Sequence, residues 1–284
     1  MIDLETRRRF YAEEVTMVAN LRTPALIEAL ATVPREQFLP PGPWTIRGES
    51  DFGGPPRQTP DADPKHVYHN IVVAIDPARQ LFNGAPTLLG MAIDSLALEP
   101  GQRVLHIGTG LGYYTAIIAQ CVGRSGSVLG IEVDPNLAAA TKQNLASIPW
   151  ARAAEGDGHG PYDESFDAIL VNAGITHPLD AWLDALKPGG RLIMPITATS
   201  PQMGPISKGF LVLSTKEPDG AFTLRMVGFV AIYAAIGIRD DALNAALGQA
   251  MMKGPFMPAK RLRRDAHEPS ATCWAHGATA CFSM

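Results

Sequence analysis

The sequence predicts an α/β protein built on an open, Rossmann-like parallel sheet, and three observations predict it. The run from Val104 to Pro135 reads as strand, glycine-rich turn, helix, short loop and second strand. The turn is Gly108-Thr109-Gly110-Leu111-Gly112, and the second strand ends at an acid, Glu132. In a parallel sheet such a unit puts a nucleoside ligand at the C-terminal edge of its strands.

Each part of the unit has a chemical reason. Glycines at Gly108, Gly110 and Gly112 let the backbone approach a ligand and take torsions other residues resist. The pattern is GxGxG, with Tyr113 where a dinucleotide turn has its last glycine. Glu132 stands 22 residues past Gly110, placed to accept hydrogen bonds from two ribose hydroxyls. The helix from Tyr113 points backbone N–H groups at an anion, here the methionine carboxylate of S-adenosylmethionine (SAM). A buried turn in some other α/β protein is the competing reading.

Before the unit, residues 1 to about 40 read as helical, with apolar positions at Leu21, Leu26, Ile27 and Leu30. Residues 40–65 are rich in proline and glycine, including Pro40-Pro41 and Gly53-Gly54-Pro55-Pro56, and read as a loop or linker. Residues 66–86 are expected to be extended and irregular. A helix from Thr87 to Leu98 ends at Pro100-Gly101. After the second strand, Asp134-Pro135 opens a helix reaching Ser147, and Glu155-Gly156-Asp157-Gly158 turns at the ligand-facing edge. A strand (Phe166 to Asn172), a helix (Leu179 to Leu186), a turn (Lys187-Pro188-Gly189-Gly190) and a strand (Arg191 to Pro195) follow. Gly209 to Thr215 and Phe222 to Tyr233 flank Pro218-Asp219-Gly220 as an antiparallel hairpin would. A helix from Asp241 to Met252 and a basic, cysteine-containing tail close the chain. The expected division is an N-terminal helical and proline-rich extension (1–75), a cofactor domain (76–237) and a C-terminal helix and tail (238–284).

Composition bounds the rest. A hydrophobic fraction of 46% supports a buried core. A net charge of −4 gives no general attraction to nucleic acid or an anionic membrane, so no partner of either kind is expected. The basic clusters Arg7-Arg8-Arg9 and Lys260 to Arg264 read as solvated faces. Asp3 and Glu5 precede any apolar run, unlike a secretory signal, and the apolar run Phe229 to Ile236 is too short to span a bilayer. An odd count of three cysteines suggests a reducing compartment, so a cytoplasmic enzyme is expected.

From Val33 to about Tyr233 the chain resembles the protein-L-isoaspartate O-methyltransferases. The matching stretches are VPREQF (Val33 to Phe38), VLHIGTGLGYYTAIIA, GIEVD, EGDGHG, FDAILVNAG and LKPGGRLIMPI. The resemblance implies a seven-stranded SAM-dependent methyltransferase fold whose last strand is antiparallel. It implies that Asp157 and Gly158 contact adenine and Glu132 holds the ribose. His106, Gly108, Thr109, Gly110, Gly112, Tyr113 and Val133 complete the cofactor set. It also implies a carboxylate of a peptide or protein as acceptor. Two departures stand out. Gly84 occupies the place of the family's hydroxyl residue beside the reactive methyl, and His106 replaces the acid before the glycine turn.

A carboxylate acceptor is ionised at neutral pH and needs no general base, whereas a hydroxyl or phenol usually does. The base candidates are His66, His69, His159 and His177. On the acceptor side His69 and Asn70, in Tyr68-His69-Asn70, and Thr87 are the candidate catalytic residues, with Gln80 as a possible pocket wall. Thr87 could offer the hydroxyl that Gly84 lacks, but its first reading is as the cap of the helix that follows. A small-metabolite O- or N-methyltransferase with a remodelled acceptor pocket is the alternative. A non-enzymatic scaffold has no chemical need for Gly108, Gly110, Glu132 and Asp157 together.

The tail holds Cys273, His276 and Cys281 in a C-x2-H-x4-C spacing, with His267 upstream. Zinc sites use four ligands in paired spacings, and this match is incomplete, so no metal is expected. The two thiols read as packed against the C-terminus, and Cys121 as core.

Overall fold

The computed structural model describes residues 3–48, 55–200, 202, 204–254 and 256–284. Gly53 and Gly54 of the proline-rich segment lie outside them. The chain forms two compact units: one of residues up to Gln102 plus Thr109–Glu155, the other of Arg103–Gly108 plus the residues from Gly156 onward.

The first unit begins with α1 (Leu4–Ala19), capped by Asp3, whose carboxylate accepts the Thr6 N–H at 2.8 Å. Asn20, in the left-handed conformation, ends it, and Pro24 opens α2 (Pro24–Thr32). Tyr11 and Val15 of α1 and Leu26 and Leu30 of α2 are fully buried. A 3-10 turn, Arg35–Phe38, follows.

The proline-rich stretch is not the free linker its composition predicts. Its described residues contribute β1 (Thr45–Gly48) and β2 (Arg57–Gln58), which join β3 (Ile71–Asp76) and β4 (Leu81–Phe82) in an antiparallel sheet ordered β2-β1-β3-β4. Trp44 anchors it: the Trp44 backbone N–H donates to Thr59 Oγ1 at 2.9 Å, and its indole N–H to the Pro40 carbonyl at 2.7 Å. Strands of two to four residues carry too little alternation to be read from sequence. α3 (Pro86–Ser95) comes next.

After β5 (Arg103–Ile107), a strand of the second unit, the first resumes with α4 (Tyr113–Val122), β6 (Ser127–Glu132), α5 (Pro135–Asn144) and β7 (Ala151–Glu155). β6 and β7 pair in parallel. α4 is apolar on every side and buried on every side, from Ala116 to Ala119.

In the second unit the strands run in the order β5, β8 (Phe166–Val171), β9 (Leu186–Ala198), β10 (Ile206–Lys216), β11 (Phe222–Tyr233), β12 (Arg261–Arg263), β14 (Cys281–Ser283), β13 (Cys273–His276). The first three are parallel, and from β9 onward each strand is antiparallel to its neighbour. β10 therefore runs against β5, β8 and β9 while β11 runs with them, so the reversed strand is β10 and not, as the resemblance implied, the last one. The helices are α6 (Asp180–Ala185) and α7 (Asp241–Met252). Phe166 pairs with Leu186 and Ala168 with Arg191, so Lys187–Gly190 bulge out opposite Asp167 within one strand. That bulge is where the sequence predicts a turn. The tail adds three short strands to the expected sheet, and Leu262, Cys281 and Phe282 are buried there.

Candidate active site

In the first unit the glycine turn is held from outside. Thr141 on α5 donates its hydroxyl to the Gly110 carbonyl at 2.7 Å, and the Asn144 amide donates to Leu111 O at 2.9 Å. Gly110, with φ of 59°, turns its own N–H to Glu132 Oε2 at 2.7 Å. A Cβ on Gly112 would stand 2.9 Å from Thr141 Cγ2, so that position admits only glycine at this separation. Gly112 also caps α4 at φ of 91° with no side-chain cap bond, and a helix start of this kind is a place where an anion can bind.

Glu132 is only 6% exposed. Its other oxygen accepts the Asp134 N–H at 3.1 Å. Burial pushes its carboxyl above the usual value, while the N–H groups of Gly110, Asp134 and Val133 pull the other way. Each carboxylate oxygen has further lone-pair capacity for a hydroxyl donor. Val133 beside it is 44% exposed, an apolar side chain facing outward next to the acid.

Arg79, at the tip between β3 and β4, reaches this edge. Its guanidinium donates to Asp134 Oδ2 at 2.7 Å and to Asp76 Oδ2 at 2.6 Å. Asp134 in turn caps α5 through the N–H groups of Asn136 and Leu137. Nothing local in the sequence marks the contact of Arg79 with Asp134, because the two lie 55 residues apart. Gln80 is exposed, with φ of 54°.

Residues 67–71, which hold the expected acceptor-side residues His69 and Asn70, are organised by Arg35, the arginine of VPREQF, which is fully buried. Its guanidinium donates to the carbonyls of Val67 (2.7 Å), His69 (3.1 Å) and Ile71 (2.7 Å). It lies 5.6 Å from the Tyr11 ring centroid and 5.9 Å from that of Tyr113. The Tyr113 ring is buried, edge-on to Phe38 and Tyr114. Asn70 and Thr87 come together: the Thr87 N–H donates to Asn70 Oδ1 at 3.3 Å. The cap of α3 is Ala85, not Thr87, and Asn70 supplies the oxygen that the cap residue lacks. The His69 side chain is exposed. At Gly84 a Cβ would lie 2.4 Å from Leu89 Cδ2, and the Gly84 carbonyl accepts the Tyr114 hydroxyl at 2.7 Å.

The second unit carries His106, Gly108, Asp157 and Gly158. His106 is fully buried on β5, and burial pushes its imidazole down to about 3, so it is neutral at pH 7. The Gly108 carbonyl accepts the Asn172 amide at 3.2 Å. Gly158, with φ of 78°, has its carbonyl fixed by the Trp182 indole N–H (2.7 Å) and the Tyr162 hydroxyl (2.8 Å), and a Cβ there would meet Ile107 at 3.2 Å. Asp157 is exposed, and the His159 N–H is the chief cause holding its carboxyl below the usual range. Of the other histidines, His66 pairs with Asp61 at 2.9 Å and His177 with the Thr176 hydroxyl at 2.9 Å.

These features fit SAM: a buried carboxylate with spare acceptor capacity, an uncapped helix start, and turns in which side chains have no room. Together with the βαβ order they define the chain as a SAM-dependent methyltransferase. The family model of protein-L-isoaspartate(D-aspartate) O-methyltransferase (PCMT) matches residues 57–224. A protein-L-isoaspartate O-methyltransferase of Methylorubrum extorquens (strain PA1) is 32% identical over 244 residues, covering 83% of this chain and 92% of its own. One from Aeropyrum pernix is 30% identical, covering 79% of this chain and 81% of its own. The chain belongs to the PCMT family. A solved structure named protein-L-isoaspartate O-methyltransferase shares the fold at a TM-score of 0.64 and 22% identity, over 89% of this chain and 73% of that one. A Plasmodium falciparum chain named for the same activity, solved with S-adenosyl-L-homocysteine, shares it at a TM-score of 0.59 and 16% identity, over 80% of this chain and 97% of that one. Among the described residues no helix is long and apolar enough to cross a membrane.

Proposed function

We propose that this enzyme methylates a carboxylate of a peptide or protein, with an isoaspartyl side chain as the first acceptor class to test. The observation that carries this reading is the family match running from the β2 strand through the acceptor segment to β11. The site chemistry agrees. SAM supplies an electrophilic methyl group, and an ionised carboxylate attacks it without prior loss of a proton. Methyl transfer then depends on orientation, which a rigid frame can supply. Arg35 provides such a frame for residues 67–71, and Asn70 passes it on to the start of α3.

In the first unit the proposed roles are ribose binding by Glu132, carboxylate binding at the start of α4 and a cofactor contact by Val133; in the second, the proposed role of Asp157 and Gly158 is adenine contact. Thr87, His69 and Asn70 are proposed to line the acceptor side. A reducing, cytoplasmic setting fits three cysteines that are all unpaired.

The test is a labelled-methyl transfer assay with an isoaspartyl peptide and, separately, an extract of the source cells. Base-labile methyl ester on the peptide is expected. Label entering only a small molecule overturns the peptide reading in favour of a metabolite acceptor.

A further inference from the structure

The C-terminal strands gather four side chains that the methyl-transfer site does not use. Cys273 and His276 lie on β13, Cys281 on β14, and His267 in the loop before β13. One ligand atom from each lies within 4.8 Å of all the others. We propose that His267, Cys273, His276 and Cys281 bind one zinc ion in a closed, tetrahedral, structural site.

The pairing of β13 with β14 sets His276 opposite Cys281. The strand between them turns at Gly277, whose N–H donates to the Ala280 carbonyl at 2.9 Å. His267 joins from outside the strand pair, which is why the spacing alone looks one ligand short. Its Nδ1 lies 2.8 Å from the Asp265 carbonyl, which directs Nε2 to Cys273 Sγ at 3.7 Å. A zinc-bound histidine typically donates its second ring N–H to such a carbonyl. The Ser270 N–H approaches Cys273 Sγ at 3.4 Å, a contact that favours a thiolate. The second ring, His276, stands 4.7 Å from that of His267, and its Nδ1 is buried with no hydrogen-bond partner among the described residues.

The donor set selects the ion. Two thiolates and two imidazoles suit zinc, and bonds of 2.0–2.3 Å place tetrahedral ligand atoms roughly 3.3–3.8 Å apart. The 4.8 Å span therefore closes with side-chain shifts of about 1 Å. Four protein ligands leave no open position for a substrate, so the ion's role is structural. The charges of two thiolates and a divalent cation cancel. β12, β13 and β14 have three or four residues each, too few for pairing alone to hold the end of the chain firmly.

The test uses the full-length protein, purified with reductant and no chelator. Elemental analysis is expected to find about one zinc per chain. Protein stripped by chelator and kept reduced, then titrated with Co2+, is expected to show thiolate-to-cobalt charge transfer and tetrahedral d–d bands. Both should vanish on adding Zn2+, and binding should release protons from the thiols. Cys273→Ser/Cys281→Ser should abolish the charge-transfer signal. Reduced wild-type protein that takes up no cobalt overturns the proposal. So does a double-serine variant that binds it equally well, or a Cys273–Cys281 disulfide in protein that has never held zinc. The wild-type titration decides the matter even if the variant fails to fold.

Discussion

The N–H of Gly110 donates to Oε2 of Glu132 at 2.7 Å, so the buried carboxylate proposed to hold the ribose also shapes the glycine turn. Glu132→Ala strands the turn N–H and removes the ribose acceptor. SAM affinity is expected to fall by about 1–3 kcal/mol, roughly 5- to 150-fold, by calorimetry. The accepting form is the carboxylate, and burial raises its pKa. Binding should therefore weaken as pH falls through that raised value and hold steady above it. Unchanged affinity in the variant would refute the ribose assignment.

Arg35 satisfies three carbonyls of residues 67–71 from a fully buried position. Arg35→Met leaves those carbonyls buried without donors, and urea unfolding should show a loss of about 3 kcal/mol or more. Arg35→Lys should recover little, because an ammonium lacks the planar fork that spans several acceptors. A near-wild-type midpoint for either variant would contradict this.

Gly84→Ser restores the family hydroxyl but drives a Cβ to 2.4 Å from Leu89 Cδ2. Thermal unfolding should show a destabilisation of about 1–3 kcal/mol from overpacking. The same serine should be better tolerated in a Leu89→Ala background. If the two changes are simply additive, Leu89 is not what excludes a side chain at this position.

His106 stays neutral in the folded protein down to about pH 3, whereas the unfolded chain protonates it near 6.5. Between those values the unfolded state binds more protons. Stability from this residue is fully present above the unfolded pKa and falls as pH drops through the window, by at most about 1.4 kcal/mol per pH unit. His106→Gln should flatten the stability profile between pH 6.5 and 4. An unchanged slope would show that other groups cause it.

The glycine turn and the strand that ends at Glu132 were legible because they are local: a few residues at fixed spacing carry their own reason, whereas β7 (Ala151–Glu155), a short strand, was not read. Distant partnerships were not. VPREQF stands out as a motif, yet nothing in it says that Arg35 is buried beneath residues 67–71. Thr87 reads as a cap because the sequence pattern begins the helix there, but the chain starts the helix at Pro86 and takes its capping oxygen from Asn70, 17 residues back. The proline-rich segment hides its short strands for a similar reason: pairing, not pattern, makes them. His267 is invisible as a partner of Cys273 until the loop before β13 is folded.

The chain passes between its two compact units at Gln102/Arg103, at Gly108/Thr109 and again at Glu155/Gly156. A short strand of the second unit is thus embedded in the first unit's stretch of sequence, and no single truncation gives either unit free of residues of the other. A fragment beginning at Gly156 keeps β8 but loses β5, its partner through Val104, Leu105, His106 and Ile107. Such a fragment would bare an apolar strand edge and invite aggregation. On the ribosome, the later unit waits for a strand already made, while the earlier one is finished only after that strand has been set aside. Neither unit of this chain can therefore be moved as one uninterrupted module.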